Sequence, residues 1–453
     1  MKDKQVKDFY KEDVPSYASG DNVRKIASYI DGLKLSARKL VYTMIEKYPN
    51  PNVKTKTAQF ANVAAAFTNY NQGENNLGGV TNTLAQDFCG ANNYPLFLGK
   101  GNFGNRLDDL CAATRYTFVS PSKFLKALFN DNDKAIVGNQ VYEGDKIEPL
   151  FYVPIVSTLF LNGSNGISTG FRQVVLPRNL DDIIEYIKKK LNGTEHPRMQ
   201  LLPYWKNFKG SSRYNAEGGL EILGCVEMVN MTSYKITELP VTTSYVSYCK
   251  FLDKLEEDGT IQSWKDLCDP KTNELLFEVK TTREFTRKHN DAESLLKVFH
   301  LIKPFTECYN CIDENNRVRE FKSVTDILDA FIDIRLKFYD KRKTYMLTTL
   351  KEKLSVLASK YLFVKGIVDK TIIVSNKKKD DIVKQLEKNA KIIKVNDSYS
   401  YLLDMAIHSL TKEKLEELKK QIEDGKAEYA KVKATSINDM WIEDLSALKK
   451  EMK

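Results

Sequence analysis

Two runs of apolar residues constrain this chain more than anything else in its sequence. Leu347, Leu350, Leu354, Leu357 and Tyr361 step by three and four in alternation. Leu415, Leu418, Ile422, Gly425, Tyr429 and Val432 repeat those steps after an interval of about fifty residues, with glycine at one seam position. Such an alternation keeps one stripe of a helix turned toward a partner helix, the pattern of a coiled coil. The spacing predicts an antiparallel arm that leaves the body of the protein and returns: an outgoing helix over 322–365, a small helical module over 366–410, and a returning helix with the C-terminal segment over 411–453. A protruding module has few neighbours of its own, so it is expected to dimerise. Two amphipathic helices in one ordinary core would satisfy the same spacing.

Upstream, "SARKLVYTMIEKY" (36–48) has apolar residues at Leu40, Val41, Met44, Ile45 and Tyr48, which predicts a helix capped by Ser36 with Arg38 and Lys39 on its other side. "TAQFANVAAAF" predicts a second helix with Phe60, Val63 and Phe67 on one face. "NYNQGENNLGG" breaks it and "VTNTLAQDF" resumes the helical pattern, the outline of a helix-turn-helix. "PLFLGKGNFGNR" and the strand-forming "RYTFV" would add a β-wing. A winged-helix domain is therefore expected over 21–140, after an N-terminal arm over 1–20. Residues 141–321 alternate short apolar runs with turns and read as a mixed α/β domain. The expected class is α+β, in several domains, as 453 residues exceed what one core usually serves.

Composition narrows the partner. The formal net charge is +9, and residues 1–130 hold 17 Lys+Arg against 11 Asp+Glu, a difference of +6. A basic N-terminal region suggests a polyanion, most simply double-stranded DNA, although a solvated surface would look the same. No apolar run approaches the ~20 residues a membrane helix needs, so a soluble cytoplasmic protein with no membrane partner is expected. Seven scattered cysteines fit a reducing compartment. Cys308 and Cys311 form one CxxC, with no second pair or flanking histidine to complete a zinc set.

Three stretches carry chemistry. "NVRKIASYIDGLKLSARKL" sets Arg24, Lys34, Arg38 and Lys39 around a helix start, where cations could meet phosphates. A charged helix entry of no special role reads the same. "LFLNGSNGISTGF" brackets a serine with two Asn-Gly turns and places Ile167 among small residues. An apolar side chain held at such a tip could wedge between base pairs, or simply half-bury in a hairpin. "LCAATRYTFVS" contains Arg115 and Tyr116 side by side. A tyrosine attacks only as phenolate, ordinarily formed near pH 10, and an adjacent cation favours that form. Attack on a phosphodiester would conserve bond energy in a phosphotyrosyl link. With 23 tyrosines in the chain, packing in a core strand is the competing account.

In this order, "DGLK" with its basic helix, "KGNFGN", "AATRYTFV", "NGSNGISTG", "NFKG", "ITELP" and "YLLDMAIHSLTKEKLEEL" followed by "MWIEDL" resemble the motifs of type IIA DNA topoisomerases. The likeness runs from about residue 15 to the C-terminus. It is nearest to gyrase A-like breakage-reunion subunits, in particular the medium subunits of T-even-type phage topoisomerases. The resemblance implies that Tyr116 is the nucleophile forming a 5′-phosphotyrosyl bond, with Arg115 stabilising the transition state. Arg24, seven residues before the aspartate of "DGLK", would bind phosphate. Ile167 would be the intercalating wedge, and Lys34, Arg38, Lys39, Gln72, Lys100 and Asn102 would contact DNA. Residues 141–321 would be the tower, and 366–410 the exit gate of a homodimer.

One position departs from the pattern. Where the family usually has histidine before its Gly-acid pair, this chain has Gln72, which can hydrogen-bond phosphate but cannot serve as a base near neutral pH. The only DxD, Asp131-Asn132-Asp133, reads as a helix cap, and no GxxxxGK[ST] loop is present. The likeness therefore implies a Toprim/ATPase partner subunit that holds Mg²⁺ and binds ATP, neither being bound by this chain alone. Together they would relax or decatenate DNA, for phage replication in an infected host cell. The rival reading is a non-catalytic winged-helix protein that bends DNA while Tyr116 merely packs.

Overall fold

A computed structural model describes residues 6–195, 197, 199–375, 377–406 and 411–452. It divides into two units, Met1–Arg335 with Ile442–Lys453, and Leu336–Trp441. None of its described helices is long and apolar enough to cross a membrane.

In the first unit, helical turns Val6–Asp8 and Phe9–Asp13 lead into α1 (Val14–Lys25), which has a proline in its first turn. Next comes α2 (Leu35–Lys47), burying Leu40, Val41 and Met44. Its cap is Lys34 in extended conformation, so Ser36 lies inside the first turn and caps nothing. In α3 (Thr57–Phe67) the buried face is Phe60, Ala61 and Ala64, while Val63 is exposed. The alanines let α3 lie close to its neighbours, and Phe60 meets Phe97 and Tyr48 edge-on at 5.5 and 5.6 Å. The helix α4 (Glu74–Ala85) starts directly after Gly73, so "ENNLGG", expected as a break, is already helical.

Strands β1 (Thr55–Lys56), β2 (Phe97–Lys100) and β3 (Phe118–Pro121) form an antiparallel sheet in the order β1-β3-β2, with Lys100 opposite Phe118. "RYT" is not part of it. Thr114–Tyr116 form a turn and the strand begins at Phe118. After β3 come α5 (Lys123–Leu128) and α6 (Asp131–Val137). The cap of α6 is Asn130, whose side chain accepts from the Asn132 amide at 3.0 Å. Asp133 is buried and accepts from Arg335 at 2.8 Å, so the DxD stretch is a helix start.

Beyond α7 (Thr158–Asn162) a tight hairpin joins β4 (Ser164–Ser168) to β5 (Phe171–Val175), followed by α8 (Leu180–Leu191). Further on lie β6 (Ser211–Tyr214), β7 (Leu220–Leu223), β8 (Cys225–Asn230), β9 (Ser233–Glu238), α9 (Tyr245–Glu257), β10 (Ser263–Asp266) and β11 (Phe277–Lys280). The last strands are β12 (Ile302–Phe305), β13 (Cys308–Ile312) and β14 (Val318–Glu320). They build three sheets, ordered β8-β9-β11-β10, β12-β7-β6 and β14-β13-β5-β4. Tyr234, Ile236, Phe277 and Val279 of the first sheet form a core with Leu252, Phe285 and Phe299. The third sheet places the CxxC on β13. The Cys311 thiol is fully buried, receives the Gln173 amide at 3.4 Å and is pushed up to about 12 by burial, the state of a packed side chain.

A long helix, α10 (Val324–Val368), passes from the first unit into the second, which also holds α11 (Lys379–Glu387) and α12 (Lys412–Ala434). Helix α13 (Ile437–Glu451) leads back to the first. Leu418 is buried, and a Cβ at Gly425 would lie 2.9 Å from Leu354 Cδ2, so α10 and α12 pack with glycine facing leucine. Phe363, near the end of α10, packs in one core with Ile372, Leu386, Ile392, Tyr399 and Leu402 of the segment that follows.

Candidate nucleic-acid interface

Tyr116 is held at the surface by its neighbours rather than packed among them. The Tyr116 amide donates to Ala113 O at 2.9 Å and closes the turn, leaving the side chain 69% exposed. On one side the amides of Thr57 and Ala58, at the start of α3, donate to Thr117 O and Thr114 O at 2.9 and 3.2 Å. The hydroxyls of Thr117 and Thr57 meet at 2.8 Å in the interior. On the other side Gly78 of α4 faces Thr114, where a Cβ would stand 3.2 Å from the Thr114 methyl. Gly101 has φ +117° and lies so close that an added Cβ would be 3.3 Å from Thr117 and 3.5 Å from Tyr116 O. The turn is thus clamped between two helix surfaces and the end of β2. Arg115 is exposed with its guanidinium carbon 5.5 Å from the Tyr116 ring centroid, so the cation and the phenol face solvent as a pair.

The loop entering this turn is equally ordered. Asn102 O accepts from Ala112 N at 3.0 Å and its side chain accepts from Gly104 N at 2.8 Å, so Asn102 shapes the loop. The Gln86 amide donates to Phe103 O and Asp109 O at 3.1 and 3.2 Å. Lys100, at the end of β2, is exposed.

A second locus forms where α1 ends. Arg24, Tyr70 and Gln72 line a cleft of about 390 Å³ together with Asn69, Asn71 and Asn316. Arg24 is half-exposed and reaches Asp21 at only 3.7 Å, a long pair that leaves its guanidinium available. Gln72 is exposed and donates to Asn71 at 3.0 Å. Tyr70, which no sequence pattern singled out, accepts from Asn76 at 2.8 Å; burial raises its phenol pKa, while Asn76 and the Arg24 charge pull against it. Its only signal was its position two residues before Gln72. The loop bearing Gln72 runs straight into α4, and from Gly73 to the Gly78–Thr114 contact is about 7.5 Å of helix rise. One helix therefore serves both loci.

The third locus is the β4–β5 hairpin. Ile167 is 70% exposed next to the tip. Beneath it, Thr169 donates its amide and hydroxyl to Asp21 at 3.0 and 2.9 Å, and Lys34 Nζ donates to Asn165 O at 2.6 Å. Gly166 lies so close to α1 that a Cβ would meet Lys25 O at 2.1 Å. Gln173 donates to Ala27 O and accepts from Ala27 N, at 3.1 and 2.9 Å. Lys34, expected to hold phosphate, spends its ammonium on the hairpin, and burial lowers its pKa.

Arg38 and Lys39 need correction. Neither offers its charge to solvent. Arg38 donates two hydrogen bonds to Asp31, Nε to Oδ2 at 2.7 Å and Nη2 to Oδ1 at 3.1 Å, and a third to Leu33 O at 3.1 Å. Lys39 borders the cleft, but its ammonium donates to Thr68 O at 2.7 Å and to Glu148 at 2.9 Å. Both are only a few per cent exposed, so they hold the fold and do not touch phosphate directly. Among the described residues no group of three or more His, Cys, Asp or Glu could hold a metal ion.

Comparison with known proteins bears on this arrangement. Residues 24–446 match the family profile of the A-type subunit of DNA gyrase/topoisomerase IV. The chain is 30% identical to DNA topoisomerase 2 of Plasmodium falciparum, over 98% of this chain and 34% of that protein. It is 31% identical to DNA topoisomerase 2 of Penicillium chrysogenum, over 97% of this chain and 29% of that protein. The chain spans about a third of the length of these relatives. In structure it is similar to the DNA-binding, cleavage and re-ligation domain of Plasmodium falciparum topoisomerase II, with a TM-score of 0.87, 29% identity, and coverage of 98% of this chain and 64% of that one.

Proposed function

This chain belongs to the family of the A-type subunits of DNA gyrase and topoisomerase IV, and on that premise we propose that it is the DNA-cleaving and religating part of an ATP-dependent type II DNA topoisomerase. The observation that carries the reading is the exposed Tyr116–Arg115 pair on a turn clamped between α3 and α4. Tyr10 and Tyr17 are nearly as exposed, but Tyr116 alone of the three stands beside an arginine on a turn hydrogen-bonded to α3. Its hydroxyl attacks a backbone phosphorus, the P–O3′ bond breaks, and the 5′ end remains on the tyrosine until the 3′ hydroxyl reverses the step. Arg115 offsets charge on the pentacovalent phosphorus. Arg24, with Tyr70 and Gln72 in the adjoining cleft, holds a backbone phosphate and orients the strand. No side chain in that cleft is a base near neutral pH, so with this chain's residues alone the proton of Tyr116 would pass to water.

In this reading α3, α4 and the β1-β3-β2 sheet are the winged helix, 141–321 the tower, and α10 with α12 the coiled-coil arm. Two copies act across a two-fold axis, since cutting both strands takes two tyrosines. The segment 366–410 closes the homodimer as an exit gate. A partner subunit supplies Mg²⁺ on a Toprim domain together with the ATPase. Ile167 wedges the duplex and Lys100 adds backbone charge. The assignment to a T-even-type phage enzyme that relaxes or decatenates replicating DNA in the host cytoplasm rests on the motif resemblance.

The test is covalent capture. The chain, an ATPase/Toprim subunit, Mg²⁺ and end-labelled duplex are mixed and quenched with denaturant. Protein-linked 5′ ends are expected with the natural chain and none with Tyr116→Phe. Adduct that persists in the Phe variant would sink Tyr116 as nucleophile.

A further inference from the structure

The register of the β4–β5 hairpin sets Arg172 directly opposite Ile167. Directly opposed residues of an antiparallel pair share one face, with Cβ atoms about 4.5–5.5 Å apart. Both side chains are exposed. Arg24, Arg38, Arg106 and Arg178 each reach a carboxylate, whereas no ion pair of Arg172 is found among the described residues. Its backbone, in contrast, is fixed, because Arg172 O accepts from Asn310 at 2.8 Å. The hairpin is pinned to α1 through Thr169 and Gly166 and to Lys34 through Asn165, so the two side chains are presented by one rigid ribbon.

We infer that Arg172 is a second DNA contact of this hairpin, a cation that engages the phosphate–sugar edge beside the base step that Ile167 opens. The inference rests on Ile167 acting as a wedge. An inserted apolar side chain unstacks a step and bends the duplex around the protein. An arginine one cross-strand position away then comes against the backbone flanking that step. On a straight duplex the protruding Ile167 keeps the ribbon off the groove floor, and Arg172 stays in water. The contact belongs to bent DNA. A flat guanidinium suits it, being weakly hydrated and able to offer two parallel donors to phosphate oxygens. Free energy from Arg172 thereby offsets part of the unstacking cost at Ile167, and the two residues should be energetically coupled.

The experiment is a double-mutant cycle on the full-length chain with a fluorophore-labelled duplex of about thirty base pairs, read by affinity at several salt concentrations and by end-to-end energy transfer. Arg172→Ala should weaken binding several-fold and reduce the slope of log affinity against log salt by about one phosphate contact. With Ile167→Ala already present, adding Arg172→Ala should cost less than about twofold. Thermal midpoints should stay with the natural chain, since the Arg172 side chain is solvated. An equal loss in both backgrounds would make Arg172 an ordinary surface cation and overturn the inference, as would no loss in either. If Ile167→Ala leaves bending intact, the wedge reading itself falls, and that result is visible before Arg172 is changed.

Discussion

Arg38 offers a sharp test, because its sequence context invites a role in DNA binding that its geometry denies. Its side chain is 5% exposed and that of Asp31 is fully buried, with bonds at 2.7 and 3.1 Å. Replacing it by methionine keeps the aliphatic stem and leaves the Asp31 carboxylate buried without its cation. The amides of Leu33 and Tyr152, at 2.9 and 3.0 Å, still donate to Asp31 and soften the loss. Breaking one side of a buried pair typically costs about 3–5 kcal/mol, and the remaining donors put Arg38→Met toward the lower end, about 3 kcal/mol. Changing both partners, Asp31→Asn with Arg38→Met, removes the orphaned charge and should recover at least half of that. Urea unfolding of the first unit, followed by tryptophan fluorescence, gives the stabilities. The salt dependence of duplex binding at a temperature where all variants are folded gives the phosphate count. Arg38→Met should leave the salt slope unchanged. A variant as stable as the natural chain but with a slope lower by about one would refute the structural role and restore Arg38 as a phosphate contact.

Gly166→Ala should force β4 off α1, because the clash is with a backbone carbonyl that cannot rotate away; a loss of about 3 kcal/mol, at the upper end for overpacking, and reduced DNA bending are expected by denaturation and energy transfer. Asp21 gives a pH dependence: burial raises its pKa, but hydrogen bonds from Thr169 and Lys25 outweigh this and hold it below the usual aspartate value. A depressed carboxylate contributes stability above its unfolded pKa and loses it as pH falls through the folded one. Exchange protection of the Thr169 amide should therefore be flat from neutral pH down to the ordinary aspartate range and fall only below it; a decline already at about pH 6, well above any carboxylate of this kind, would point to another group. In the second unit Ile373 and Ile393 are 52% and 37% exposed on the segment proposed to dimerise. Ile373→Asp with Ile393→Asp should convert a dimer to a monomer in sedimentation, and a natural chain that sediments as monomer would remove the exit gate.

The sequence was most legible where a pattern repeats within one element. The helices bearing Leu354 and Gly425 needed only helical spacing to be foreseen, and these two residues approach each other. Ile167 was read as lying just past an Asn-Gly turn and stands in β4 next to the hairpin tip, whereas the turn at Tyr116 was misread as strand because β-branched and aromatic neighbours follow it. What failed were inferences that depend on a distant partner. Lys39 is neutralised by Glu148, 109 residues away, and no local pattern announces that. Arg38 finds Asp31 only because the "DGLK" turn folds back on α2. Val63 and the alanines of α3 exchanged places for a similar reason, since which face is buried depends on what packs there. Asp21 and Tyr70 lay within three residues of recognised positions, yet only the folding of distant segments joins them to Thr169 and to the Arg24 cleft.

The contact between Gly166 and Lys25 has a consequence for how this protein can vary. Its two participants are a missing side chain and a main-chain carbonyl, so the Lys25 side chain takes no part in the contact. Position 166 tolerates no Cβ, whereas the contact itself accepts any residue at 25. Among relatives that keep the hairpin, one side should be fixed and the other free to drift. Methods that infer proximity from correlated substitutions would then be blind to the closest approach between the wedge and the helix of Arg24. A joint this close leaves no paired signature in sequence.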